Sequence, residues 1–560
     1  MRAARLDSRS TPLRIPFVLY AFVAVASLIL RISVPANPLF HAMHDDALMV
    51  RLAGNILTTG WVSGDWSFLS HLTMLKGPGF PLFLVINHFL PWSPVVSVHL
   101  LLLFGFYLLT REFGFYGMSS RFQVVFFLFL SFFPAWFDSN FSRIYREGLL
   151  TALTFFVIAI SLQLRRKRYS SNFRTFYRGN WHLMILLGVL IGLFAITKIS
   201  WHGLVLFAVL VVVIASDSNG FSKGKVLSSL RNSLVITLTI FVPAFLPPSL
   251  VMGINQARTG VPIIEEFSQG EFPKLLNSLA SVKSDNYPKT SLIDSSMREK
   301  IYQISPEFQE LRPYLESEIN LGWKRFNCEL TNICDESGLW FPFELRDAIA
   351  ATGKVHSDLE MQVYMGSISA RVDAGCVSGE LACGGKGFVP MVGNLSEINY
   401  STALSAASTG VAKVLFLDAI TFDRSSPSEL APEIKEEWFG LLPSVGSTNE
   451  TALDAVSMSQ LTAAGKAWTM FYAVIWVPVL LIGLMGVVFI KPIRNRHFNL
   501  SLASLAGIGA LILPLSLVEA SSGLLMSVFG NPYLLATFPY AAVIWGLGLL
   551  VISKYTSQLK

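Results

Sequence analysis

Two adjacent carboxylates, Asp45 and Asp46, lie in the same stretch as a lysine, Lys76, in a chain otherwise poor in charge. The pair opens what reads as a short amphipathic helix, Leu48–Leu57. Lys76 stands in a Lys76-Gly77-Pro78-Gly79 turn that leads back into apolar sequence. A carboxylate held against an acceptor hydroxyl or amine can take its proton as a new bond forms. An ammonium can neutralise a phosphate as a point charge, and glycines beside it let backbone approach a ligand closely. Simpler uses exist. An Asp is a favoured helix cap, which accounts for one carboxylate and not two. A lysine can also anchor in headgroups along its alkyl stem.

A second polar and charged group follows at Asp138, Asn140, Arg143, Arg146 and Glu147. Charges near membrane depth are costly and mostly functional. The simpler alternative is that they pair with one another. Arg143 and Arg146, together with Lys198, are candidates for holding phosphate, and Glu147 for orienting the base or the acceptor. His41, His44 and His71 could join the carboxylates on a divalent cation. Histidines at an interface are also ordinary polar residues, so no metal ligand is assigned.

These residues need a frame, and the composition says which kind. The 560 residues are 52% hydrophobic and 14% charged, with mean hydropathy +0.53. Soluble domains carry roughly 25% charge. A membrane-crossing helix takes about 20 apolar residues. Ten stretches fit, at about 15–30, 95–109, 124–137, 149–164, 183–197, 201–216, 233–253, 468–490, 500–517 and 532–553. The first ends at Arg31 with no clear cleavage site after it, so it reads as an uncleaved span rather than a signal peptide. Phe80–Leu90 is too short to cross and reads as interfacial or re-entrant. Arg165-Arg166-Lys167-Arg168 and the other basic clusters then fall on one side, the cytoplasmic one. That places both termini inside and the loop at 32–80 outside.

The expected division is a seven-span module over 1–253, an extracytoplasmic domain over 254–465, and a three-span module over 466–560. The middle segment has 16 Lys and Arg against 28 Asp and Glu, a net of −12, whereas the remainder is +18. The basic balance therefore reflects membrane orientation and gives no reason to expect nucleic acid. All four cysteines, Cys328, Cys334, Cys376 and Cys383, lie in the acidic segment. An even count in such a compartment points to two disulfides, with three connectivities open. Apolar spacing predicts helices over Glu307–Asn320, Phe341–Thr352 and Asp358–Ala374. Leu404–Ile420 is apolar enough to lie on a bilayer surface, and 421–460 reads as a linker.

The residues quoted resemble the GT-C superfamily of integral-membrane glycosyltransferases, in particular its bacterial aminoarabinose-transferase and protein O-mannosyltransferase-like branch. His44-Asp45-Asp46-Ala47, the helix after it and Lys76-Gly77-Pro78-Gly79-Phe80-Pro81 resemble that family's first outer loop, and Ser142-Arg143 through Glu147 its later charged site. The family commonly has Glu at the second acidic position and Pro-Pro in the turn, and several relatives carry their large domain at the C-terminus. The resemblance implies an α-helical polytopic membrane protein of the GT-C type, with about ten transmembrane helices and one mainly helical extracytoplasmic domain. It implies Asp45 as base, Asp46 beside it, His44 near the substrate and Lys76 on the donor phosphate. The implied donor is a polyprenyl-phosphate-linked sugar in a bacterial inner membrane, and the implied acceptor is a glycan, lipid or protein, with inversion at the sugar. A transporter or flippase of lipid-linked sugars is the alternative, but such proteins tend to show paired repeats and polar or broken helices at the bilayer midplane. A sensor or scaffold would leave Asp45, Asp46 and Lys76 without a use.

Overall fold

The computed structural model describes residues 14–34, 36–39, 44–63, 72–170, 172–198, 226–286, 291–317, 321–384, 400–422, 455–522 and 536–558, with isolated positions at 204, 205, 207, 208, 438, 440–442 and 534. Helices account for nearly all its regular structure, and the only ladder among the described residues is one bridge between Val282 and Cys383. A chain this apolar satisfies its backbone within each segment, because lipid offers no hydrogen bonds. The polytopic α-helical architecture is therefore the one expected.

Eight described helices are long and apolar enough to span a bilayer: Pro94–Phe115, Ser120–Phe137, Glu147–Arg168, Phe173–Thr197, Leu230–Thr259, Thr462–Phe489, His497–Leu517 and Phe538–Ser557. Each matches one of the ten expected stretches. A ninth stretch lies in helix α1, Arg14–Ser33. The tenth, 201–216, falls mostly outside the described residues. The short apolar segment forms α3, Gly79–His88, after α2, Asp46–Thr59. Next come α4, Pro94–Phe115, α5, Ser120–Ser131, α6, Glu147–Ser170, α7, Phe173–Thr197, and α8, Val226–Thr259. In the membrane part α4 packs on α6, α6 on α7 and α7 on α8. Within its apolar window α6 is almost entirely buried, whereas α8 leaves most of its surface open.

The intervening segment between α8 and the C-terminal helices contains α9, Glu271–Ser281, α10, Ser295–Ile304, α11, Leu321–Thr331, α12, Phe341–Ala351, and α13, Asp358–Ser378, followed by α14, Tyr400–Phe416, whose buried residues join the core of the membrane helices instead. Its own core gathers Phe272, Leu275, Met297, Leu345, Met361 and Ile368. Helix α13 runs four residues past its expected end and stops at Gly379, whose φ of 83° is left-handed. The helix expected over Glu307–Asn320 is instead two short ones, Pro306–Gln309 and Arg312–Leu315. Pro313 lacks the amide that would continue a helical ladder, so the segment restarts there. The cysteines pair with their near neighbours, Cys328–Cys334 and Cys376–Cys383. Helix α14 packs against α16, Lys491–Ser522, which together with α15, Ala455–Phe489, and α17, Phe538–Gln558, completes the described helices. The expected linker at 421–460 lies largely outside the described residues.

The C-terminal helices close on the N-terminal ones through stacked rings. Trp545 of α17 lies 4.1 Å from Phe129 of α5 and stacks on Trp476 of α15 at 6.2 Å. Such pairs add about 0.5–1.5 kcal/mol beyond the area they bury.

One carboxyl in the intervening segment makes a pH prediction. Glu344 on α12 is buried, accepts the Ser337 hydroxyl, and is pushed up to about 7 by burial. Its unfolded counterpart stays near 4.5. Between these values the native state binds more protons than the unfolded one, so rising pH erodes stability until about 7. Glu344→Gln is expected to stabilise the protein by about 2 kcal/mol at pH 8 and far less at pH 5. Thermal unfolding in detergent at the two pH values measures this.

Candidate active site

Asp45 occupies the N-cap position of α2, yet its side chain makes no capping bond to that helix. Capping therefore does not account for it. Adjacent residues at a helix start point in different directions, and here the two carboxylates separate. Asp46 is fully buried and receives Arg143, whose Nε lies 3.1 Å from Oδ2, with a second, closer contact from Nη2. The Leu39 amide donates to Asp46 Oδ1 at 3.4 Å. The Asp45 side chain is 37% exposed. Its Oδ1 accepts from Lys76 Nζ at 3.0 Å and from the Tyr145 hydroxyl at 2.9 Å, and its Oδ2 lies 3.8 Å from Arg143 Nη2. Asp45 is thus the accessible carboxylate, and Asp46 fixes the guanidinium beside it.

The charges within this cluster set one another's state. Burial alone would raise the Asp45 carboxyl, but Lys76 and Arg143 outweigh it and hold it below the usual carboxylate range. Burial lowers Lys76, and Asp45 opposes that shift. Burial would also lower Arg143, but Asp46 and then Asp45 keep it protonated. Burial raises Asp46 against the pull of Arg143.

Lys76 is held from three sides by aromatic rings. Its Nζ lies 6.0 Å from the Tyr145 ring centre, 5.5 Å from Phe267 and 5.8 Å from Phe343. The last two belong to the intervening segment, which therefore supplies one wall of the site. The glycines of the Lys76 turn serve packing rather than a ligand, contrary to the expectation from sequence. A Cβ on Gly77 would sit 2.2 Å from the Ile196 carbonyl oxygen, and one on Gly79 2.2 Å from Thr197 Oγ1. The turn is pressed against the C-terminal end of α7, and this sets the position of Lys76.

The remaining predicted residues divide. Glu147 does not reach the aspartates. It begins α6 and accepts from Lys198 Nζ at 2.9 Å. Arg146 Nη1 lies 3.7 Å from Glu265 of the intervening segment and 3.5 Å from the Thr197 carbonyl, while its guanidinium sits 5.4 Å from the Tyr145 ring. Arg146, Glu147 and Lys198 therefore form a second ionic group beside the first, with Tyr145 between the two. His44 faces the intervening segment, where its Nε2 lies 3.6 Å from Asp347. His41 and His71 are outside the described residues. Among the described residues no three His, Cys, Asp or Glu side chains are placed to share a metal ion.

Sequence reasoning missed Tyr145, whose only signal is its place between Arg143 and Arg146. It also missed Glu265 and Glu266. Glu266 is buried against the Arg346 guanidinium and accepts from Gln362 Nε2 at 2.7 Å, while its amide donates to the Met74 carbonyl at 2.9 Å. That bond ties the intervening segment to the stretch just before Lys76.

No protein-family model matches the chain, and no curated protein matches it. Among solved structures the chain is similar to ArnT from Cupriavidus metallidurans in the apo state, at 14% identity and a TM-score of 0.32, over 95% of this chain and 77% of that one. It is similar also to ArnT from the same organism bound to undecaprenyl phosphate, at 13% identity and a TM-score of 0.29, over 97% and 78%.

Proposed function

We propose that this chain is a multi-pass membrane glycosyltransferase that moves a sugar from a polyprenyl-phosphate donor to an acceptor outside the cytoplasm. The observation that carries the reading is Asp45, an open carboxylate held by Lys76, Arg143 and Tyr145 in one cluster. The basic run 165–168 stands at the far end of α6 from Glu147. By the positive-inside rule that end is cytoplasmic, so the cluster faces the opposite side.

In the apo protein Asp45 is a weak base, because two cations stabilise its charge. A donor phosphate would compete for those cations. Once it holds Lys76 and Arg143, Asp45 loses its stabilising partners and its proton affinity rises. The base then becomes competent only with donor in place. The acceptor oxygen or nitrogen attacks the anomeric carbon as its proton passes to Asp45. The bond from that carbon to the phosphate oxygen breaks, and its electron pair stays on the departing polyprenyl phosphate. Lys76 and Arg143 neutralise the developing charge, the electrostatic contribution that commonly dominates such reactions. A single displacement of this kind inverts the anomeric centre. Asp46 holds the Arg143 guanidinium throughout.

The test is release of labelled sugar from a radiolabelled polyprenyl-phosphate sugar by the protein in proteoliposomes. Transfer of label to an acceptor, with bare polyprenyl phosphate left behind, is the expected result. Movement of intact lipid-linked sugar across the bilayer without cleavage would replace this reading with transport.

A further inference from the structure

One of the rings beside Lys76, Phe343, is paired with a second ring that the chemistry described so far does not use. Phe343 on α12 and Trp323 on α11 stack with centroids 5.6 Å apart and planes 13° from parallel. Both are only half-buried, and neither belongs to the core of the intervening segment. Phe343 packs instead with the small cluster around Trp61 and Leu75, next to the charged site. The pair is braced. Asp347, one turn beyond Phe343 on the same helix, accepts from Trp323 Nε1 at 3.0 Å. His44 meets both rings edge-on, at 4.7 Å from Trp323 and 5.0 Å from Phe343. The Cys328–Cys334 bridge closes the end of the helix that carries Trp323.

A fixed, half-open pair of parallel rings beside a buried cation has a definite chemical use. A monosaccharide has an apolar C–H face that lies flat on an aromatic ring, and a rim of hydroxyls that bind carboxylates and imidazoles. Small-molecule sites combine aromatic walls with a few placed polar groups in this way. The ring of Phe343 is 5.8 Å from Lys76 Nζ. A sugar joined directly to a phosphate held by Lys76 would lie against it. Resting on the donor chemistry proposed above, we infer that Trp323 and Phe343 are the stacking platform for the donor sugar, with His44 and Asp347 at its rim. The intervening segment would thereby read the sugar, while the membrane part reads the phosphate.

The test compares binding of undecaprenyl phosphate with binding of a panel of undecaprenyl-phosphoryl monosaccharides bearing glucose, mannose, galactose or arabinose, using purified full-length protein in nanodiscs. The wild type is expected to favour at least one sugar-bearing lipid over the bare phosphate. Trp323→Leu should weaken the sugar-bearing lipid at least tenfold and the bare lipid less than twofold; Phe343→Leu, made separately and removing a ring that also lies against Lys76, should weaken the sugar-bearing lipid at least tenfold more than it weakens the bare one. Trp323→Phe should retain most of the preference. Equal loss for both lipids, or no loss for either, would overturn the platform while leaving the transferase reading intact. A loss confined to the acceptor KM would likewise overturn it. A wild type that binds no member of the panel would overturn the platform together with the donor assignment beneath it.

Discussion

Asp45→Asn is expected to lower sugar transfer by about a thousandfold, the scale of a lost general base, while undecaprenyl phosphate binds at least as tightly as before. The two halves of this result have one origin. The amide is nearly isosteric and can still accept from Lys76 and Tyr145, which in the native protein lie 3.0 and 2.9 Å from Oδ1. The pocket therefore keeps its shape. What disappears is a proton acceptor and a negative charge that competes with phosphate for Lys76 and Arg143. Catalysis fails and the competition ends. Single-turnover transfer and equilibrium binding, measured on the same preparation, separate the two effects. Full turnover by Asp45→Asn would remove this residue from the mechanism. Weaker phosphate binding would show that Asp45 assembles the cation pair rather than competing for it.

Arg143→Ala is expected to damage the protein itself. Asp46 is fully buried, and Arg143 is its main partner at the start of α2. Removing one member of a buried pair leaves an uncompensated charge and costs about 3–5 kcal/mol. Thermal unfolding in detergent should show a large drop in Tm, with transfer lost as well. Adding Asp46→Asn should recover much of the stability, since the stranded charge is then gone, but none of the transfer. Arg143→Lys should fold better than Arg143→Ala and still lose the two-pronged hold on Asp46, because an ammonium lacks the planar fork of donors. A stable Arg143→Ala protein would show that Asp46 takes up a proton or finds another partner.

The parts of this molecule that were legible in the sequence are those set by local composition. Apolar length alone marked eight spans that the structure contains. The rarity of charge in such a chain drew attention to Asp45, Asp46, Lys76 and Arg143, which do meet. Which aspartate stays open was not legible in the residues themselves, and only the family resemblance singled out Asp45. Both are the same residue type at a helix start, and only the position of Arg143, 97 residues later, separates them. Glu147 looked equivalent to its neighbours, but Lys198 holds it on the other side of Tyr145. The Gly77-Pro78-Gly79 turn illustrates another limit. Glycine signals a close approach without saying to what, and here the surface is the end of α7. Glu265, Glu266, Trp323 and Phe343 sit in a segment whose sequence gives no hint that it touches the site.

A further consequence follows from the turn that presents Arg143. Asp138 is buried there, accepts the Phe141 amide at 2.7 Å and the Thr421 amide at 2.9 Å, and burial pushes its carboxyl up to about 7. The Ser139 amide donates back to the Thr421 carbonyl at 2.8 Å. Three-quarters of the chain must therefore leave the ribosome before this clasp can close. During synthesis the early helices can be inserted while the turn that presents Arg143 still lacks its partner at Thr421. A chain arrested before residue 421 would therefore carry Arg143 on a turn whose clasp is still open.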